Sequence, residues 1–104
     1  MSWEIQTVIT QFDEIRNKAL IAAQSNWLGI DTLNEIVELA NQGKSYLDGN
    51  TSELADALRE QWSDLAARAT AGKLNRSQSR TRRAFVDIEG HCGEIVNMLS
   101  TLKG

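Results

Sequence analysis

The sequence predicts an all-α fold, an antiparallel four-helix bundle. Apolar residues recur at steps of three and four along four segments, which is the spacing of one face of a helix. The chain contains no proline, so no helix is interrupted for that reason. Short links separate the segments, and short links between amphipathic helices imply antiparallel neighbours. We expect a single domain over residues 1–104, because two domains would each be too small for a core.

The first two helices are predicted over residues 3–25 and 31–47. Their apolar faces comprise Ile5, Val8, Phe12, Ile15, Ala19 and Ala22 in the first, and Leu33, Ile36, Val37 and Ala40 in the second. Gly29 breaks the first pattern, and Asp31 is a favourable N-cap for the second helix. Glycine is a poor helix former, so we expect the second helix to fray at Gly43.

The third helix is predicted over residues 51–71. Its apolar face comprises Leu54, Leu58, Trp62, Leu65 and Ala69. A strong turn signal, the sequence Asp-Gly-Asn at 48–50, precedes it, and either Asn50 or Thr51 can cap its first turn. Ala71 and Gly72 form a C-terminal stop signal.

The fourth helix is predicted over residues 76–102. Its apolar face comprises Phe85, Ile88, Cys92, Ile95, Leu99 and Leu102. Gly90 and Gly93 lie inside it, where they mark either a close helix crossing or a weak point. The first and fourth helices have the most regular apolar faces, and such faces also suit helix pairing between two copies of the chain.

Charge is strongly segregated along the chain. Six of the 11 basic residues and none of the 14 acidic residues lie between positions 68 and 83. We call these six residues the basic island: Arg68, Lys73, Arg76, Arg80, Arg82 and Arg83. The island carries +6 and the remaining residues carry −9, in a chain with a net charge of −3. This segregation predicts a surface that meets a negatively charged group.

Three interpretations of the basic island remain open. Arg76, Arg80 and Arg83 share one outward face of a helix and could contact nucleic-acid phosphates, without base recognition because no aromatic residue accompanies them. The island could instead meet an acidic protein partner. It could also neutralise an acidic stripe on the third helix, which comprises Glu53, Asp56, Glu60 and Asp64. In that case we expect antiparallel packing to bring Asp64 and Glu60 beside Arg76 and Arg80.

Two tryptophans lie off the regular apolar faces. Trp3 precedes the first helix pattern and Trp27 lies in the first turn region, whereas Trp62 fits the core of the third helix. Trp3 and Trp27 could each cover an end of the bundle or anchor a protein partner, since tryptophan is frequent at binding hot spots.

The remaining residues predict no catalytic chemistry. His91 and Cys92 are adjacent and point about 100° apart on a helix, so they cannot share a metal ion, and no ligand spacing accompanies them. Cys92 fits the core, and no nucleophile and base can be assembled around the only histidine. We therefore predict no enzyme, no cofactor and no metal site.

The chain is expected to act in the cytoplasm. No apolar stretch approaches the roughly 20 residues of a membrane span, the N-terminus lacks signal-peptide features, and one cysteine cannot form an internal disulfide. Size, acidity and the lack of catalytic residues suit a bacterial or phage regulator. The sequence favours a protein–protein adaptor or inhibitor, with a helical subunit of a nucleoprotein complex as the alternative and homo-oligomerisation open.

Overall fold

The computed structural model describes residues 3–24, 30–73 and 78–103, and within these ranges it contains four helices and no strand. The helices are α1 (Ile5–Ala23), α2 (Ile30–Tyr46), α3 (Glu53–Lys73) and α4 (Gln78–Lys103). Each helix packs on the next along the chain, and α4 also packs on α1. The predicted four-helix bundle is confirmed.

Polar contacts along α1 show that α2 and α4 both run antiparallel to it. The Tyr46 hydroxyl at the end of α2 accepts a hydrogen bond from the Glu4 backbone N–H at 3.1 Å. Lys103, at the end of α4, hydrogen-bonds Gln6 near the start of α1. Farther along α1, the Arg16 guanidinium lies 3.7 Å from the Glu89 carboxylate of α4. The start of α1 therefore lies beside the ends of α2 and α4.

Two glycines do not interrupt their helices in the way that the sequence predicted. Gly43 lies within α2, which continues without fraying to Tyr46. Gly72 lies within α3, which ends at Lys73, two residues beyond the predicted stop. Both glycines are buried between helices, so packing offsets their low helix propensity.

The first turn of α3 is capped by Ser52, and not by Asn50 or Thr51 as predicted. The Ser52 hydroxyl oxygen accepts a hydrogen bond from the Ala55 backbone N–H at 3.2 Å, as an N-cap side chain does. Asn50 stabilises the turn before the helix, because its side-chain oxygen accepts a hydrogen bond from the Ser52 backbone N–H at 3.1 Å. The preceding Gly49 has φ +81°, a left-handed conformation that confirms the predicted turn.

The core consists of the apolar faces of all four helices. Its fully or nearly fully buried members are Val8, Ile9, Phe12, Ile15, Ala19, Ala22, Leu33, Ile36, Ala40, Leu47, Ala55, Leu58, Trp62, Leu65, Ala69, Phe85, Ile88, Cys92, Ile95 and Leu99. Periodicity had not placed Ile9, Leu47 and Ala55 in this set. The prediction that Leu102 belongs to the core is wrong, because this residue lies in the last turn of α4 and is 59% exposed.

The centre of the bundle is built around the indole ring of Trp62. This ring stacks on Phe12, with 4.5 Å between ring centroids and 1° between the ring planes. The ring also lies against the backbone of α2 at Gly43, where an added Cβ would lie 2.6 Å from Trp62 Cδ2 and closer still to two other ring carbons. A glycine is needed at position 43 because the indole occupies the place of a side chain.

The thiol of Cys92 is fully buried, and this predicts a specific loss of stability at alkaline pH. Burial, reinforced by the nearby Glu89 charge, raises the pKa of Cys92 from 9.0 to about 12. Above pH 9 the unfolded chain therefore loses a proton that the folded chain keeps, and the free energy of unfolding falls by about 1.4 kcal/mol per pH unit.

Urea unfolding at pH 8 and pH 10 measures this effect, with Cys92→Ala as the matched control. Between these two values the wild type should lose about 1.4 kcal/mol more than the variant, because only about one pH unit lies above 9. Equal losses in the two proteins would contradict a buried, protonated thiol.

None of the helices in the described ranges combines the length and the apolar character that crossing a membrane requires.

Candidate binding surface

The basic island is divided between two helices. Arg68 lies in the penultimate turn of α3, Lys73 is the last residue of that helix, and Arg80, Arg82 and Arg83 lie in the first two turns of α4. Arg76 lies outside the described residues, as does the side chain of Lys73. The second part of the island is therefore helical from residue 78 onwards.

Arg68 is engaged within the bundle. Its Nε donates to Asp64 of the same helix at 2.7 Å, and its Nη1 donates to Asp87 of α4. The hydrogen bond to Asp64, followed by that to Asp87, raises the pKa of Arg68 above its ordinary value. Arg68 thus links α3 to α4, and its charge is already balanced by two carboxylates.

The acidic stripe is neutralised in part, and one of its partners, Arg68, belongs to the basic island. Asp64 pairs with Arg68, and its carboxylate also lies 3.5 Å from His91 Nε2. Asp56 pairs with Arg59 of its own helix. Glu53 and Glu60 are exposed.

The predicted pairing of Glu60 with Arg80 is wrong because of the register between α3 and α4. Two contacts define this register. Arg68 of α3 lies opposite Asp87 of α4, and Gln61, earlier in α3, lies opposite His91, later in α4, with 2.7 Å between the Gln61 side-chain oxygen and His91 Nε2. Glu60 therefore lies beyond the Gln61–His91 contact, whereas Arg80 lies beyond the Arg68–Asp87 contact in the opposite direction. At about 1.5 Å per residue, the two side chains are separated by about 20 Å along the helix axes.

Arg80 and Arg83 are exposed on the outer side of α4. Within the described part of the chain, neither forms an ion pair. Together with Ala84 and Asp87 they line a shallow depression. Because Asp87 is already paired with Arg68, the depression offers two uncompensated guanidinium groups to an anionic group.

Thr81 lies on the opposite side of α4, and its side chain is only 2% exposed. No apolar residue lies between positions 75 and 83, yet Thr81 is buried there. A short hydroxyl-bearing side chain is small enough to be buried at the start of α4, which fixes the direction in which Arg80 and Arg83 point.

Exposed apolar side chains lie at the same end of the bundle as these two arginines. They are Leu20 and Ile21 at the end of α1, 42% and 69% exposed, and Val86 on α4, 56% exposed. Since α1 and α4 are antiparallel, the last turn of α1 lies level with the start of α4. We call the exposed set Leu20, Ile21, Arg80, Arg83 and Val86 the basic end.

Sequence reasoning missed the apolar part of the basic end. Leu20 and Ile21 directly follow Ala19 of the buried face, and Val86 directly follows Phe85. A signal was available, because each of the three lies about 100° or more around its helix from the middle of the buried face. Apolar residues at such positions indicate an exposed contact surface when they gather at one end of a bundle.

The two tryptophans proposed as partner anchors have different outcomes. Trp3 is partly buried and packs against the core, so it covers the end of the bundle where α1 begins. Trp27 lies outside the described residues. A role for either residue in partner binding stays a prediction.

His91 and Cys92 point in different directions, as predicted. Cys92 is buried in the core, whereas His91 is partly exposed and contacts Gln61 of α3. In the ranges that the structure describes, no three His, Cys, Asp or Glu side chains are grouped so that they could hold a metal ion.

Comparison with protein-family models, with curated proteins and with solved structures finds no match to this chain.

Proposed function

We propose that this chain is a small non-enzymatic binding module, an adaptor or inhibitor that binds an acidic, partly apolar surface of another protein through its basic end. The observation that carries this proposal is the coincidence of two arginines that form no ion pair within the described residues and three exposed apolar side chains at one end of the bundle. We propose the cytoplasm as its location, on the sequence features given above.

The two kinds of side chain in the basic end would contribute differently to binding. Ile21 and Val86 are each more than half exposed, so covering either one contributes about 1 kcal/mol of hydrophobic stabilisation. Arg80 and Arg83 would orient the partner, because exposed charge pairs add more to specificity and association rate than to affinity. An acidic amphipathic helix carries both complementary features.

A photocrosslinking experiment tests this proposal. A benzophenone amino acid placed at Ile21 should form a discrete adduct with a partner protein in cells that make this chain. The matched control places the same group at Asn41, which is exposed on the outer face of α2 among polar residues. Adding Arg80→Glu and Arg83→Glu to the Ile21 probe should lower the adduct about tenfold, equivalent to about 1.4 kcal/mol.

Adducts of equal yield from both positions, or an Ile21 adduct that is insensitive to the arginine substitutions, would contradict the basic end as the binding surface.

The second candidate is a subunit of a nucleoprotein complex, and it is favoured by one observation. Arg80 and Arg83 lie about one turn apart near the N-terminus of α4, whose first turn contains no acidic residue. Phosphates would find both guanidinium groups and the positive end of the helix dipole there. The flanking apolar residues and the engagement of Arg68 make a protein partner the better supported proposal.

Fluorescence anisotropy with labelled single- and double-stranded DNA and RNA separates the two candidates. Binding to phosphates should weaken steeply between about 50 and 200 mM salt and should disappear in the Arg80→Glu, Arg83→Glu variant. Such a result would replace the protein-partner proposal with the nucleoprotein one. We expect no binding at either salt concentration.

A further inference from the structure

We infer that two copies of this chain associate through the outer face of α4, with the two α4 helices antiparallel and crossing near Gly90. This inference goes beyond the proposed function, because it concerns a second copy of the chain and a face centred on the middle of α4.

Gly90 is the first observation that supports this contact. It lies in the interior of a 26-residue helix, where glycine is unfavourable, and a Cβ added there would meet nothing within 4 Å. Packing within the described bundle therefore gives no reason for a glycine, in contrast to Gly43. A second backbone that approaches α4 closely at this point would require one.

The distribution of exposed apolar residues is the second observation. Five large apolar side chains are exposed in the described ranges, and Val86, Met98 and Leu102 of these lie on α4. At 100° per residue, Val86 and Met98 lie about 40° and 80° around the helix from Gly90, on either side of it along the axis. They therefore flank the proposed crossing point.

Charge complementarity selects the antiparallel orientation. The exposed charges in the first two turns of α4 are arginines, and Glu94 is exposed one turn beyond Gly90. Asp87 is exposed on the same face, but its charge is already paired with Arg68. With both helices crossing at Gly90, Arg83 of one copy lies within about one turn of Glu94 of the other, and Val86 within about one turn of Met98. A parallel pair would instead place like charges together.

A twofold axis through the crossing makes each contact occur twice, which is the commonest arrangement of a homodimer. One helix pair buries less than the roughly 1,200–2,000 Å² of a stable interface, so we expect a dissociation constant in the micromolar range. The dimer covers Val86 and Arg83, which also belong to the basic end, whereas Leu20 and Ile21 lie on α1.

Sedimentation velocity between about 1 and 500 μM tests the inference, a range chosen to bracket micromolar dissociation. The wild type should pass from monomer to dimer. Gly90→Lys should remain monomeric, because lysine obstructs the crossing and places two like charges at the axis. Its thermal unfolding midpoint should not fall, since the position is open. Asn41→Lys, on the outer face of α2, is the matched control and should dimerise like the wild type.

A charge exchange tests the orientation. Arg83→Glu and Glu94→Arg should each weaken the dimer by up to about tenfold, because each breaks two symmetric contacts between exposed charges. The double variant should regain most of the affinity. A wild type that stays monomeric throughout, a Gly90→Lys variant that dimerises normally, or a double variant without recovery would overturn the inference.

Failure of this inference is distinguishable from failure of the proposed function. Gly90→Lys leaves every residue of the basic end unchanged. A monomeric Gly90→Lys protein should therefore still form the Ile21 crosslink.

Discussion

Gly43→Ala is expected to lower the free energy of unfolding by about 2–3 kcal/mol, although alanine is the better helix former by about 1 kcal/mol. The added Cβ would lie well within contact distance of three carbons of the Trp62 ring. The ring cannot move away easily, because it is fully buried and stacks on Phe12 at 4.5 Å. The strain must then be relieved by separating α2 from α3. Urea unfolding measures the change.

Gly90→Ala is the matched control for Gly43→Ala. The same substitution in an open position of α4 should raise the free energy of unfolding by about 0.5–1 kcal/mol, through helix propensity and the entropy of the unfolded chain. Opposite signs at the two positions separate packing from propensity. Equal changes at both positions would show that Trp62 does not pack on the α2 backbone.

A second substitution identifies the origin of the Gly43→Ala cost. In a Trp62→Leu background the indole is absent, so Gly43→Ala should cost little or should become stabilising. The coupling between the two positions should then be about 2 kcal/mol, since they are in direct contact. A Gly43→Ala effect that is unchanged by Trp62→Leu would place the strain elsewhere.

Gly43 also illustrates how far the fold could be predicted. The apolar spacing identified four helices and nearly all of the core, because a buried face repeats every three to four residues whatever its partner is. The same spacing contains nothing about a residue without a side chain. Gly43 was therefore interpreted by its low helix propensity, whereas the structure shows that a ring from α3 fills the space beside it.

The candidate site was less predictable because it depends on register. The order of the helices and their antiparallel packing follow from short links. The axial position of α4 relative to α3, however, is determined by the packing of the core. Arg68 had been grouped with the other basic residues, and only the register brings Asp87 to it. Likewise, the burial of Thr81 decides which arginines of α4 face outwards.

Phe12→Ala is expected to lower the free energy of unfolding by about 3–5 kcal/mol, the range for removing a buried aromatic side chain. Phe12 is fully buried and stacks on Trp62, which connects α1 to α3. In the described residues, the backbones of α1 and α3 are diagonal and do not pack on each other, so this aromatic pair spans the middle of the bundle. Ile21→Ala, on the same helix but 69% exposed, should change stability by no more than about 0.5 kcal/mol.

A double-mutant cycle distinguishes the stacking from the simple loss of volume. Phe12→Leu and Trp62→Leu each keep an apolar side chain in the core, and their effects should deviate from additivity by about 0.5–1.5 kcal/mol, the coupling typical of a buried aromatic pair. The indole N–H of Trp62 has no hydrogen-bond partner among the described residues, so the ring stabilises the bundle by packing alone. Additive effects in the cycle would mean that the two rings fill the core independently, and the close approach of Trp62 to Gly43 would then be its only specific contact.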